Sequence, residues 1–359
     1  MNPAESSWPI LFGHLLELPV STPPWLVASL GLILIYLVVI LPSSVLIAYL
    51  DRKLGADFQA RVGPNRSGPA GIFQPVADFL KLLQKDAVRR GNKEKIWLAL
   101  QSMALYSTVA VLPLGSLCLL VDTDMSSFLP FWAALLVALG TLFLGFSQKT
   151  AAGWLGGVRV AAQAMAAAFP ALVSILCAGV KVGGFRWSLF AKAQGAIPFF
   201  WTAFSNPFQF VAFVVFVISG LILLGIPPMD APLSNPDLQG GISSRFFGRN
   251  LGLFQLGRFY SFFLWSVIAV VLFLGAWILP ESLVNALNES QNFQALQILE
   301  LLWLLGKTFG LMILVIWVAR VNPRSRVDQI TDFAWKILSP SAIGALVGAS
   351  LWAAWSASG

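Results

Sequence analysis

The feature that most constrains this chain is a series of long apolar stretches separated by short polar ones. Eight windows of roughly 20 residues are long enough for a helix to cross about 30 Å of hydrocarbon. They lie near residues 26–48, 97–121, 129–147, 158–180, 207–226, 260–279, 301–320 and 337–355. The pattern predicts an all-α, polytopic membrane protein with about eight transmembrane helices.

The composition supports this prediction, because 57% of the 359 residues are hydrophobic and only 11% are charged. The first 25 residues contain Glu5 and Glu17 but no lysine or arginine. They therefore lack the basic region of a cleavable signal peptide, and we expect the first span to remain as an anchor. We interpret residues 1–359 as a single membrane domain, with the loops 51–96 and 227–258 forming its functional surface.

The basic residues are distributed unequally between the predicted loops. Ten of the 23 lysines and arginines lie between Arg52 and Lys95, and nine more fall in the other loops of the same side. The opposite side holds Lys181, Arg186 and Lys192. By the positive-inside rule, the basic loops lie in the cytoplasm and both termini on the periplasmic side of a bacterial inner membrane. The net charge of +7 is then a signal of topology, and no nucleic-acid partner is expected.

Cysteine and histidine are too few for a redox centre. Cys118 and Cys177 fall in the second and fourth predicted spans, and His14 is the single histidine. These ligands cannot build an iron–sulfur cluster, a zinc site or a bis-histidine haem site. We expect this chain to bind no metal and no cofactor, so any iron–sulfur clusters would belong to partner subunits.

The first basic loop contains a predicted amphipathic helix. Starting from Pro69, apolar residues recur at spacings of three and four and form one stripe, composed of Ile72, Val76, Phe79, Leu80 and Leu83. Such a helix lies in the interface plane and could be a plain anchor. However, the Gly63-Pro64 and Gly68-Pro69 steps restrict the backbone around Arg61 and Arg66, which favours a fixed geometry.

The second basic loop begins with Gly225-Ile226-Pro227-Pro228, through which no helix can continue. It then passes Asp230 and Asp237 and reaches Arg245, Arg249 and Arg258. These arginines could extend to lipid headgroups or line the entrance of a polar cavity.

The chain resembles one known family across nearly its whole length, and three segments carry the resemblance. They are Gln59–Asp86, which contains Arg-Val-Gly-Pro-Asn-Arg, then Leu155–Gln163, and Lys307–Lys336. In these segments the chain resembles the H subunit (subunit 1 in mitochondria) of respiratory complex I, the proton-pumping NADH-quinone oxidoreductase. The resemblance implies a subunit that is not catalytic alone. It would enclose the channel through which a quinone, the substrate, reaches an iron–sulfur cluster of a peripheral-arm subunit, and would adjoin small and antiporter-like membrane subunits.

A quinone headgroup needs hydrogen-bond donors at its carbonyl oxygens, and its tail needs apolar surroundings. On this basis the predicted quinone-binding residues are Arg52, Gln59, Arg61, Phe73, Gln74, Asp78, Asp230, Asp237 and Arg245. A second set is predicted to act in coupling or in docking of partner subunits. It comprises Arg159, Gln163, Arg258, Lys307, Arg324, Arg326 and Asp328.

The chain departs from the family pattern at several acidic positions. Ala168 occupies the place of an intramembrane carboxylate, and Arg245 and Arg258 stand where family members usually carry glutamate. Membrane proton relays are built from groups that titrate, and a guanidinium does not deprotonate in proteins. We therefore expect quinone access to be retained and the proton pathway through this subunit to be weakened or rerouted.

Several alternatives remain at this point. Lys307 is either an intramembrane charge that couples to a neighbouring subunit or a lysine that extends to the outer interface, with Glu300 two turns earlier on the same face. Arg324, Arg326 and Asp328 form either an ion-pair network or a solvated loop. The electron donor could be NAD(P)H or ferredoxin. The whole chain could instead anchor a membrane-bound hydrogenase or formate hydrogenlyase, or be an ion transporter.

Overall fold

The computed structural model describes residues 24–85, 112–116, 122–148, 150–233, 241–242, 246, 248–280, 284 and 293–358. Within these residues the chain is all-α, as predicted. Helix α1 combines Pro24–Ile35, a π-helical segment Tyr36–Ile40 and Leu41–Phe58. The helices that follow are α2 (Gln74–Gln84), α3 (Leu129–Ser147), α4 (Ala151–Val182), α5 (Trp187–Ala193), α6 (Pro207–Leu224), α7 (Gly248–Phe273) and α8 (Phe293–Val321). The last, α9, combines Val327–Phe333, a π-helical segment Ala334–Leu338 and Ser339–Ser358.

Seven helices in the described part of the chain are long and apolar enough to cross a membrane. They coincide with seven of the eight predicted spans, and most of the remaining span, 97–121, lies outside the described residues. The prediction of a polytopic, all-helical membrane protein is therefore confirmed. Its candidate spans are α1, α3, α4, α6, α7, α8 and α9.

Two long helices organise the bundle. Helix α4 packs against α3, α6 and α9, and α7 packs against α1, α2, α6 and α8. Where α6 meets α7, Trp265 stacks on Phe216 with ring centroids 4.5 Å apart. Gly220 makes this contact possible, because a Cβ atom there would lie 1.7 Å from Trp265 Nε1. Apolar burial of this kind contributes about 25 cal/mol per Å² to stability.

Helix boundaries differ from the predictions where charged residues extend a helix beyond its apolar stretch. Helix α1 continues to Phe58, so Arg52 lies on a helix instead of in a loop, and α7 already begins at Gly248. The amphipathic helix does not start at Pro69, which opens a 3₁₀ turn. Ala70 and Gly71 have φ values of 54° and 83°, a left-handed conformation that ends this turn before α2.

The two ends of the bundle carry different side chains. Arg52, Arg258, Arg320 and Arg324 lie at the end where α1 and α8 finish and α7 begins, which we call the basic end. The end where α4 and α9 finish and α6 begins, which carries Lys181, is called the opposite end. This arrangement agrees with the unequal charge distribution in the sequence.

Candidate functional site

A cavity of about 300 Å³ lies at the basic end, between α1, α7, α8 and the segment after α6. We call it the polar chamber. Its charged wall consists of Asp51, Arg52, Asp230, Arg258, Arg320 and Arg324. A cavity of this size is comparable with the smaller ligand-binding pockets of proteins.

Ion pairs hold this wall together across distant parts of the chain. Arg320 Nη2 lies 2.5 Å from Asp51 Oδ1 and joins α8 to α1. Arg324 Nη2 lies 3.5 Å from Asp230 Oδ2 and joins the segment after α8 to the segment after α6. A backbone hydrogen bond of 3.1 Å from Ser325 N to Pro228 O links the same two segments. These contacts fix the shape of the chamber independently of any ligand.

Arg258 differs from the other arginines of the chamber wall, because no carboxylate of the described residues lies within 4 Å to form an ion pair with it. Its Nη2 donates to the carbonyl of Gly225 at 3.0 Å, and its Nε is buried without a hydrogen-bond partner. Asp230 is 4% exposed, and its Oδ1 likewise has no partner. Arg320 Nε is also without a partner, so the chamber wall contains two unmatched donors and one unmatched acceptor, which is costly unless water or a ligand satisfies them.

An apolar cleft of about 140 Å³ lies between α1, α2 and α7. Its walls include Val45 and Ala48 of α1, Val76 and Phe79 of α2, and Leu256 of α7. The apolar stripe predicted for the amphipathic helix therefore does not only face lipid, because part of it faces this cleft.

The cleft and the polar chamber meet at three shared residues, Arg52, Gln255 and Phe259. A molecule with an apolar tail and a polar headgroup could occupy both spaces at once, with its tail along α2 and its head toward Arg258. The predicted residue Arg52 stands at this junction.

Arg52 is held at the junction by a polar cluster on α2. It forms an ion pair and hydrogen bond with Asp78, whose other carboxylate oxygen accepts from Gln74 Nε2 at 3.0 Å. Ser67 Oγ in turn donates to Gln74 Oε1 at 2.5 Å. Burial raises the pKa of Asp78, but the hydrogen bonds from Arg52 and Gln74 and the charges of Arg52 and Lys81 outweigh it, so the pKa lies below its ordinary value.

A smaller cavity of about 30 Å³ lies on the other side of Arg258, among α3, α4 and α6. It is lined by Gln163, Thr141 and Ser261 as well as by Arg258. Gln163 is 2% exposed, and its Nε2 has no partner. The structure thus brings two residues of the predicted coupling set, Gln163 and Arg258, to one small polar cavity. The space is large enough for a water molecule.

Four described residues of the predicted quinone-binding set line neither the chamber nor the cleft, namely Gln59, Arg61, Phe73 and Gln74. Gln74 instead donates to Asp78, which lines the cleft. Gln59 Oε1 accepts from Arg61 Nε at 2.7 Å, and both side chains are exposed at the surface. Ala60, with φ of 49°, turns the chain away at this point. Phe73 is 58% exposed. Asp237 and Arg245 lie outside the described residues.

The predicted coupling and docking residues are dispersed. Arg159 lies half-buried on α4. Arg326 pairs with Asp328 at 3.4 Å on the exposed surface, whereas Arg324 belongs to the chamber wall, so these three residues do not form one network.

Lys307 lies in the middle of α8 and contacts the loop after α7. Its Nζ donates to the carbonyls of Gly275 and Ala276 at 3.1 and 3.2 Å and lies 4.7 Å from the ring centroid of Trp201. Carbonyls just after a helix end favour a cation. Glu300 instead accepts hydrogen bonds from the backbone and hydroxyl of Ser116.

Sequence reasoning missed Asp51, Gln255 and Arg320 as chamber residues. Asp51 and Arg320 end spans on the same predicted side of the membrane and have opposite charges. The sequence therefore allowed this pair but did not identify it, because the two residues are 269 positions apart. Gln255 carried no signal, because a lone glutamine on a helix is common. Within the described residues, no group of three histidine, cysteine, aspartate or glutamate side chains could hold a metal ion.

Comparisons with known proteins agree with this architecture. The family described as NADH dehydrogenase matches residues 31–350. The H subunit of the NADH-quinone oxidoreductase of Anaeromyxobacter dehalogenans (strain 2CP-C) is 30% identical over 342 residues, covering 91% of this chain and 82% of that protein. The corresponding subunit of Bacteroides fragilis (strain YCH46) is 28% identical over 311 residues, covering 85% of each chain.

A solved structure has the same fold. It is a chain of the membrane-bound sulfane sulfur reductase, an archaeal respiratory membrane complex, with a TM-score of 0.74 and 22% identity. The match covers 89% of this chain and 100% of that chain. The family match extends over nearly the whole length of the present chain. This chain therefore belongs to the H-subunit family of complex I membrane proteins and is a divergent member of it.

Proposed function

We propose that this chain is the quinone-access subunit of a complex I-like oxidoreductase. The observation that carries the proposal is the junction of an apolar cleft with a polar chamber at Arg52, Gln255 and Phe259. The cleft suits an isoprenoid tail, and the chamber supplies donors for a carbonyl headgroup. The names of the relatives, which are subunits of NADH-quinone oxidoreductases, support the same substrate class.

Within this proposal, Arg258 is the donor that meets the headgroup. Arg52, Arg320 and Arg324 are each paired with a carboxylate, whereas no carboxylate of the described residues pairs with Arg258. A buried Nε without a partner occurs in both Arg258 and Arg320, so the missing carboxylate is what singles out Arg258. A guanidinium would stabilise negative charge on a quinone oxygen as electrons arrive, and it remains protonated throughout. The protons that reduction consumes must therefore come from other groups.

The electrons would come from an iron–sulfur cluster of a peripheral-arm subunit seated over the basic end. We further propose that the complex lies in a bacterial inner membrane with both termini periplasmic, since arginines gather at one end of the bundle. The identity of the electron donor, NAD(P)H or ferredoxin, depends on the partner subunits.

Purification of the complex through a tag on this chain tests the proposal. We expect copurified subunits with iron–sulfur motifs and antiporter-like membrane subunits, together with quinone reduction. The Arg258→Gln variant should reduce kcat/KM for quinone at least about tenfold, since a hydrogen bond to a charged donor is worth roughly 1.5–3 kcal/mol. Arg249→Gln is the matched control, because Arg249 lies exposed on the same helix. Equal effects of the two substitutions would contradict the proposed role of Arg258.

A second candidate is a membrane anchor in a complex that reduces an acceptor other than quinone. It is favoured by the likeness in fold to a chain of a sulfane sulfur reductase. It would be supported if the purified complex contained a hydrogenase or sulfur-reducing subunit and lacked quinone reductase activity. The transporter alternative would require the chain to purify without redox partners.

A further inference from the structure

We propose that a cavity at the opposite end of the bundle binds the headgroup of a phospholipid that carries an N–H or O–H donor. The cavity has a volume of about 200 Å³ and lies between the end of α4, the start of α6 and the end of α9. Its polar wall includes Lys181, Ser205, Gln209 and Ser356, and Trp352 forms one side. It is separate from the polar chamber at the basic end.

Gln209 provides the first requirement for the ligand. The residue is 0% exposed, and its Nε2 donates to the carbonyl of Cys177 at 2.7 Å. That bond fixes the amide orientation, so the remaining atom is an acceptor, Oε1. This oxygen is buried and has no hydrogen-bond partner. A ligand that fills the cavity must therefore supply a donor.

Lys181 provides the second requirement. Its ammonium has three donors, of which one reaches the carbonyl of Phe200 at 3.4 Å. No carboxylate of the described residues pairs with it. The two described acids in the segment before α3 are occupied, since Asp124 pairs with Arg186 and Asp122 accepts from Ser188 N. A phosphodiester would supply the missing negative charge, and the start of α6 at Pro207 adds the favourable end of a helix dipole.

The position of the cavity identifies the source of the phosphodiester as a lipid. Three membrane-crossing helices begin or end around it. Trp352 packs edge-to-face against Trp355 at 5.8 Å, and tryptophans of this kind mark the level of lipid headgroups. Below the cavity, Val347 and Leu351 of α9 are exposed and would contact acyl chains.

The donor requirement distinguishes between lipids. Phosphatidylethanolamine and phosphatidylglycerol carry a donor that can reach Gln209 Oε1, whereas the trimethylammonium of phosphatidylcholine has none. If a bound lipid leaves this buried acceptor without a donor, its binding affinity falls by about a factor of ten. We therefore expect phosphatidylcholine to bind roughly tenfold more weakly.

The test uses the intact complex, stripped of lipid in detergent. Thermal unfolding of this subunit is followed while dihexanoyl phosphatidylethanolamine, phosphatidylglycerol or phosphatidylcholine, or inorganic phosphate, is added. We expect saturable stabilisation by the first two lipids at about tenfold lower concentration than by phosphatidylcholine. Lys181→Gln should weaken this response about tenfold. Lys192→Gln, which removes an exposed lysine of α5 outside the cavity, should leave it unchanged.

Each other outcome overturns the proposal. Equal stabilisation by phosphatidylcholine would remove the role of Gln209, and equal sensitivity to the two lysine substitutions would remove that of Lys181. If inorganic phosphate alone reproduced the effect, the cavity would be a site for small anions instead of lipid. If no lipid produced a response, the cavity would be covered in the assembled complex.

Discussion

Arg320, near the end of α8, reaches Asp51 near the end of α1, with 2.5 Å between Nη2 and Oδ1. The two residues are 269 positions apart in the sequence. Both side chains are about 30% exposed, and both line the polar chamber. This ion pair therefore joins the first and the penultimate membrane helices at the place where we propose that the quinone headgroup binds.

Replacing Asp51 should destabilise the chain, because Arg320 would lose its charge partner in a half-buried position. For Asp51→Asn we expect the free energy of unfolding to fall by about 1–3 kcal/mol. The matched control is Asp332→Asn, which breaks an exposed pair with Lys336 and should cost less than about 0.5 kcal/mol. Unfolding in mixed micelles with increasing SDS measures both. Equal losses would show that the Asp51–Arg320 pair does not stabilise the bundle.

Filling the apolar cleft should discriminate between quinones by the length of their tails. A Cβ atom at Gly252 would lie 3.4 Å from Phe79 and Leu82, which is ordinary contact, so Gly252→Ala should be tolerated. Gly252→Leu adds further carbons to a cleft of about 140 Å³. We expect it to raise KM for a long-tailed quinone about tenfold and to affect a short-tailed analogue much less. An equal rise for both quinones would mean that the tail does not pass this cleft.

The Arg52–Asp78 pair should survive moderate acid. The folded-state pKa of Asp78 lies below the ordinary value of 3.8, so the pair contributes stability above that pH and loses it as the pH falls through the lower folded pKa. The stability difference between the wild type and Asp78→Asn should be constant from neutral pH to about 4 and shrink below it. A difference that disappeared near pH 6 would show that Asp78 is not held ionised by Arg52.

Restoring a carboxylate at Ala168 should change proton coupling. Ala168 lies half-buried on α4 against the core, at the position where the resemblance predicts an intramembrane acid. In the intact complex, Ala168→Glu should raise the proton-to-electron ratio, because it adds a group that titrates. Ala168→Gln, of the same size but without a proton to transfer, should leave the ratio unchanged. An unmodified complex with a normal ratio, and with protons shown to pass through this chain, would contradict the weakened pathway.

The sequence predicted the membrane helices well because apolar length is a local property. It predicted their ends less well. Helix α1 extends through Asp51 and Arg52, which pair with residues of α8 and α2, and α7 begins before Arg249 and Arg258 instead of after them. Among the site residues, Arg52, Asp78 and Asp230 could be inferred from their loops. The Asp51–Arg320 pair depends on the packing of distant helices, and the turn at Ala60 that moves Gln59 and Arg61 to the surface depends on a left-handed backbone conformation.

In the proposed function, the cleft and the polar chamber form one path for quinone. Photo-crosslinking of the intact complex with a quinone that carries an azide on its headgroup, followed by peptide mapping, tests whether quinone follows this path. We expect the label on chamber residues near Gln255 and Arg258, and competition by unlabelled quinone. Label found only on other subunits or on the lipid-facing surface of this chain, or label that unlabelled quinone did not reduce, would contradict the account.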